Sequence, residues 1–269
     1  MRSASAILSL VRWPNALLAA AGVLVGAWWA GGDVVAAPVV FAAVAAVGIA
    51  IFANADNDVH DVEIDRIAHP ERALPSGRLS PPAARRTAVG GALLALASAL
   101  ASGTVVALAT IAVIVTIAGY TRVLKRRGLS GNVTAAIVAS LPFAYGGWAA
   151  GDVRASVALV LVAIPLHLAR EVAKDLDDAP ADASLRRTLP LVAGPRAARV
   201  VILLAVGAFV VALSALAIRR PIFALLAVPA LALSILAARR VVDGRRGGPA
   251  LFKTAMVCAL TALVAAYRG

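Results

Sequence analysis

Residues 87–121 hold no charged side chain. A helix crosses the hydrocarbon core of a bilayer in about 20 apolar residues. This stretch is too long for one crossing and fits two, with Ser102-Gly103 marking the turn between them. Similar runs recur along the whole chain. Lipid offers backbone groups no hydrogen-bond partners, so each run must satisfy its own as a helix. The chain is 61% hydrophobic and 15% charged, with mean hydropathy +0.89; soluble domains carry about a quarter charged residues. Alanine and valine dominate the runs, and 21 glycines allow helices to approach closely.

Nine spans are expected, roughly Ile7–Ala30, Val34–Ala55, Ala83–Ser102, Thr104–Tyr120, Val133–Ala150, Val153–Ala169, Ala197–Ile218, Ile222–Ala238 and Leu251–Ala266. The first is longer than a signal-peptide core and is interrupted early by Arg12, so it reads as a membrane helix. The expected fold class is all-α: a polytopic membrane protein of about nine transmembrane helices around a central cavity, capped by two cytoplasmic polar loops, in one domain over residues 1–269.

The net charge of +12 follows from topology. With nine spans, 22 of the 26 Lys and Arg residues fall on the side of the N-terminus and the even-numbered loops. The positive-inside rule makes that side cytoplasmic and leaves the C-terminus outside. No basic and aromatic interleaving points to nucleic acid, and no obligatory protein partner is evident. Cys258, the single cysteine, excludes a disulfide framework.

Topology does not explain the acids, since carboxylates contribute little to orientation. Of 14, six lie in Asp56–Glu71 and five in Glu171–Asp182. Asn54, Asp58, Asp61 and Asp65 are spaced 4, 3 and 4; Glu171, Asp175, Asp178 and Asp182 repeat that spacing 117 residues later. On a helix such positions fall within a stripe of ~60°. Pro180 is expected to end the second helix before Asp182. The common offset suggests a pseudo-repeat.

Aspartates on one stripe repel one another unless a cation intervenes. An all-oxygen donor set suits Mg²⁺, which completes its shell with phosphates. Two such stripes would therefore cradle a diphosphate. Arg66, Arg72, Arg78, Arg170 and Lys174 are placed to neutralise phosphate oxygens. His60, His69 and His167 lack metal-pair spacing and read as interfacial polar residues. A cation-coupled transporter would put its ionisable groups near mid-membrane, whereas these sit at one face. The motif of CDP-alcohol phosphotransferases is missing.

Asn57-Asp58-x-x-Asp61-x-x-x-Asp65 resembles the first motif of the UbiA superfamily of intramembrane prenyltransferases, and Asp175, Asp178 and Asp182 resemble its second. Pro70-Glu71-Arg72 and Leu74 to Arg78 resemble the tail of the first motif, with departures at Ala68, His69 and Ala73. Tyr120, Lys125 and Gly131-Asn132 resemble a segment between the motifs, and Arg12-Trp13-Pro14-Asn15 the N-terminal entry. Arg170-Glu171 through Lys174-Asp175 to Asp182 is similar to the geranylgeranyltransferases of ether-lipid synthesis, with Ala181 where that group has glycine.

The resemblance implies Mg²⁺-dependent transfer of a polyprenyl group from its diphosphate to a glyceryl phosphate lipid precursor. Prenylation of an aromatic acceptor such as 4-hydroxybenzoate, or of chlorophyllide, are the alternatives. It implies metal binding by Asp58, Asp61, Asp65, Asp175, Asp178 and Asp182. Catalytic roles would fall to Asp58, Asp61, Asp175, Asp178 and Lys174. Substrate binding would fall to Asn15, Asn54, Asn57, Arg72, Tyr120, Lys125, Arg170 and Glu171.

Overall fold

The computed structural model describes residues 2–182, 187–218 and 220–265. Among these the secondary structure is helical throughout, without a strand. Contacts divide the chain into two compact units, residues 1–124 with 145–153, and residues 125–144 with 154–269.

The first unit holds α1 (Arg2–Val11), α2 (Trp13–Trp29), α3 (Ala37–Ala68), α4 (Pro81–Ser102) and α5 (Thr104–Arg122). Helices α1 and α2 meet at a 49° bend. The chain breaks at Arg12, whose backbone is left-handed (φ 50°, ψ 54°), and Pro14 restarts the helix in its first turn. Long α3 packs against α1, α2, α4 and α5. A Cβ added to Gly48 of α3 would lie 2.6 Å from the Ala95 nitrogen, and one on Gly91 of α4 would lie 2.7 Å from the Phe52 nitrogen. The two backbones touch there because neither glycine has a side chain. Ser80 caps α4 by accepting from the Ala83 N–H at 3.4 Å. Gly103 (φ 139°) separates α4 from α5, at the turn expected from Ser102-Gly103.

The second unit holds α6 (Leu129–Ser140), α8 (Val153–Asp182), α9 (Leu189–Ala217), α10 (Pro221–Val242) and α11 (Gly248–Ala265); α7 (Pro142–Ala149) straddles the boundary between the units. Helix α10 packs against α9 and α11. Helix α9 is kinked at Gly194 (φ 86°), just before Pro195. The expected stop at Pro180 does not occur, since α8 runs through it to Asp182. A proline removes one N–H and crowds one carbonyl, and two residues from the end of a 30-residue helix the remaining ladder tolerates that.

Among the described residues six helices are long and apolar enough to cross a membrane: α3, α5, α8, α9, α10 and α11, with the bent pair α1–α2 a seventh if taken as one span. Only 28–33% of their apolar windows is buried, so leucines such as Leu204 and Leu225 face outward. That surface suits lipid and not water. This is an integral membrane protein. Helix α4, the expected third span, is not among the six. The expected fifth span is divided into α6 and α7 at Leu141, where Pro142 has no N–H to continue the ladder.

Candidate active site

Helix α3 carries the first acidic stripe without interruption. Asp58, Asp61 and Asp65 are only 4%, 6% and 3% exposed, while Asn54 is half-buried. Charges of one sign, a helical turn apart and nearly dry, need counter-ions. The first unit brings arginines to this face from two directions.

Arg72 donates to both Asp65 oxygens, at 2.7 and 2.8 Å. Its loop is held in place by a small core in which Ala73, Leu74 and Leu79 pack with Ala6, Leu10, Ala55, Ala84 and Ala88. Loop hydrogen bonds add to this: the Arg72 N–H donates to the His69 carbonyl at 3.0 Å, and the Leu79 N–H to that of Ala73 at 2.9 Å. Two neighbouring arginines are engaged elsewhere. Arg78 donates to the Glu71 carbonyl and, at 3.0 Å, to the Ser76 hydroxyl. Arg66 pairs with exposed Glu63 at 2.8 Å.

Arg12 comes from the other direction. Its Nη2 donates to Asp58 Oδ1 at 2.5 Å and its Nη1 to Asn54 Oδ1 at 3.4 Å. Asn54 Nδ2 donates in turn to the Val11 carbonyl at 2.9 Å, a group that the end of α1 leaves without a helical partner. A left-handed backbone costs a residue with a side chain about 1–3 kcal/mol. These contacts, with the Asn15 N–H donating to the Arg12 carbonyl at 2.7 Å, hold the bend against that cost.

Asn57 is half-buried on α3, Tyr120 half-buried in the last turn of α5 and Asn15 half-buried in the first turn of α2. Asp56 is buried on another face of α3. Its Oδ2 has no hydrogen-bond partner among the described residues, and its Oδ1 lies 4.0 Å from Arg122 and 3.6 Å from His60.

In the second unit, Asp175 and Asp178 lie half-buried on α8, and the side chain of Asp182 lies outside the described residues. Asn132 of α6 is 5% exposed and donates through Nδ2 to Asp175 Oδ2 at 2.8 Å. Only the amide nitrogen can face a carboxylate, so the contact fixes both groups. Arg170 donates to Glu171 at 2.5 Å. Lys174 and Lys125 are half-buried, and both act on Glu171 electrostatically. Asp177 accepts a hydrogen bond from the Gly247 backbone, which ties the link between α10 and α11 to α8.

Among the described residues no three His, Cys, Asp or Glu side chains converge as an all-protein metal cage. Arginines neutralise Asp58 and Asp65, and an amide orients Asp175. Mg²⁺ needs only one or two carboxylates when water and phosphate complete its shell, and this all-oxygen donor set fits it on those terms.

A model of the UbiA prenyltransferase family matches residues 19–263. The chain belongs to that family. This UbiA chain is 37% identical to the digeranylgeranylglyceryl phosphate synthase of Halobacterium salinarum over 72% of its length and 71% of the relative's. It is 38% identical to that of Methanopyrus kandleri over 70% of each chain. An apo UbiA homologue from Aeropyrum pernix has the same fold, with a TM-score of 0.81 at 20% identity, covering 94% of this chain and 98% of that one. So does a homologue from Archaeoglobus fulgidus bound to GPP and Mg²⁺, with a TM-score of 0.73 at 17% identity, covering 98% of this chain and all of that one.

The UbiA motifs account for the aspartates but not for Arg12 or Asn132 as their partners. Asn132 carried a family resemblance without an assigned contact. Arg12 had two signals, a charge interrupting an apolar run two residues before a proline and a likeness to the family's N-terminal entry, and neither assigned it a partner.

Proposed function

We propose that this UbiA chain transfers a geranylgeranyl group from its diphosphate to the hydroxyl of geranylgeranylglyceryl phosphate, an ether-lipid precursor. The carrying observation is that relatives 37% and 38% identical to it over about 70% of both chains are digeranylgeranylglyceryl phosphate synthases. The Arg170 to Asp182 segment supports it, through its likeness to the same group.

Asp58, Asp61 and Asp65 in the first unit, and Asp175, Asp178 and Asp182 in the second, are the proposed Mg²⁺ ligands. When bound, Mg²⁺ neutralises the diphosphate as it leaves. Arg72 orients Asp65 by holding both of its oxygens through Nη1, and Asn132 orients Asp175 with a single bond. Lys174, Lys125 and Arg170 supply positive charge for phosphate oxygens, with Glu171 fixing Arg170. Asn15, Asn54, Asn57 and Tyr120 are the proposed polar contacts to substrate. The allylic C–O bond breaks, the acceptor oxygen bonds to the allylic carbon, and the hydroxyl proton is released. Water would capture the allylic cation, and the apolar helices keep it out.

The proposed topology has nine crossings, with the broken α6–α7 pair and α4 among them. The N-terminus and the motif-bearing helix ends are cytoplasmic, and the C-terminus is outside, in one domain with a pseudo-repeat offset by 117 residues.

The test is a membrane assay with radiolabelled geranylgeranyl diphosphate, Mg²⁺ and separate acceptors. Label entering geranylgeranylglyceryl phosphate is expected. Label entering only 4-hydroxybenzoate would move the chain to aromatic prenylation.

A further inference from the structure

We propose that Arg12 is the resident counter-ion of Asp58 and is displaced when a divalent cation binds there. This inference rests on the Mg²⁺ reading of the stripe and adds to it a residue that must move.

The geometry separates the two arginines. Arg72 grips Asp65 through both carboxylate oxygens from a loop with its own core. Arg12 likewise uses one nitrogen for its aspartate but meets only one Asp58 oxygen, Oδ1, and its side chain is 29% exposed against 6% for Asp58. It therefore has space to withdraw into, whereas the carboxylate is enclosed. A nearly dry carboxylate cannot be left without a positive partner. A guanidinium there and a metal ion at the same oxygen exclude each other by like charge. Binding is then an exchange of counter-ions, and the affinity for metal is reduced by whatever the arginine contributes.

The exchange also reaches the backbone. Arg12 sits in the left-handed conformation at the 49° bend between α1 and α2, and its side chain contacts are part of what holds that bend. Displacing it leaves the Asn54 bond to the Val11 carbonyl as a side-chain link from the stripe to the junction. The freed guanidinium is then available to an anionic oxygen, such as that of the diphosphate arriving with the metal.

The experiment uses the full-length protein in detergent, without substrate. Thermal unfolding is followed in EDTA and in graded Mg²⁺ or Mn²⁺, and Mn²⁺ binding is titrated by electron paramagnetic resonance. The variants are Arg12→Gln and Arg12→Gly; the glycine accepts a positive φ without strain, so it tests the charge with the bend relieved. Both should unfold at lower temperature in EDTA, gain more from metal than the wild type, and half-saturate at a several-fold lower Mn²⁺ concentration. If one variant does not fold, the other carries the test. Unchanged or weaker Mn²⁺ binding in a folded variant, with metal shifts in the wild type, would overturn the exchange alone. No metal response in wild type or variants would overturn the Mg²⁺ reading and the exchange with it.

Discussion

Arg72 and Asp65, seven residues apart, form an ion pair in which Nη1 alone meets both carboxylate oxygens, at 2.7 and 2.8 Å, across the turn that ends α3. The carboxylate is 3% exposed, and the arginine is fixed by loop contacts that do not involve the charge. The pair thus links the end of the acidic stripe to the loop following it.

Replacing Arg72 removes the partner of a buried carboxylate. Arg72→Ala should lower stability by about 2 kcal/mol, the usual scale for hydrogen bonds to charged groups. Arg72→Lys keeps the charge and one donor nitrogen but replaces the rigid planar guanidinium with a freely rotating ammonium, so it should recover stability in part and transfer activity less. Thermal unfolding in detergent and a transfer assay on the same preparations check both.

Asn132→Ala should leave the protein inserted and folded while reducing transfer about 10- to 100-fold, as for other residues that orient a metal ligand. Asn132→Asp sets a carboxylate against Asp175 and should be worse. Equal activity in the two variants would count against the orienting role.

Asp58→Ala and Asp175→Ala should each abolish transfer without preventing membrane insertion. EDTA should stop the wild-type reaction and Mg²⁺ should restore it. Membrane fractions assayed for label transfer and for the amount of protein separate lost chemistry from lost protein.

The crossing of α3 and α4 predicts a contrast between adjacent glycines. Gly91→Leu should prevent normal folding, because even a Cβ there meets the α3 backbone at 2.7 Å. Gly90→Leu should be tolerated, since a Cβ there meets nothing within 4 Å. Size-exclusion profiles and unfolding temperatures in detergent distinguish them.

The stripe on α3 was legible because the positions i, i+4, i+7 and i+11 share a helix face whatever packs against it. The division at Gly103 was legible from length and local chemistry. The partners of the stripe were not, since Arg12 reaches Asp58 across 46 positions and Asn132 reaches Asp175 across 43. Such distances are closed by tertiary packing, which periodicity does not encode. Pro180 misled for the opposite reason: a local rule held weakly where a long helix already carried the chain. The break at Leu141 was written in Pro142 but hidden by the apolar residues around it.

Helix α3 is 32 residues long, about 48 Å at 1.5 Å per residue, against ~30 Å of hydrocarbon. It is therefore a ruler as well as an anchor. The apolar part sets how deep the helix sits, and the same unbroken rod sets the height and bearing of Asp58 at its far end. One residue added near Ala45 would raise the aspartates by only about 1.5 Å but turn them through ~100°, away from Arg12 and Arg72 and toward another side of the helix.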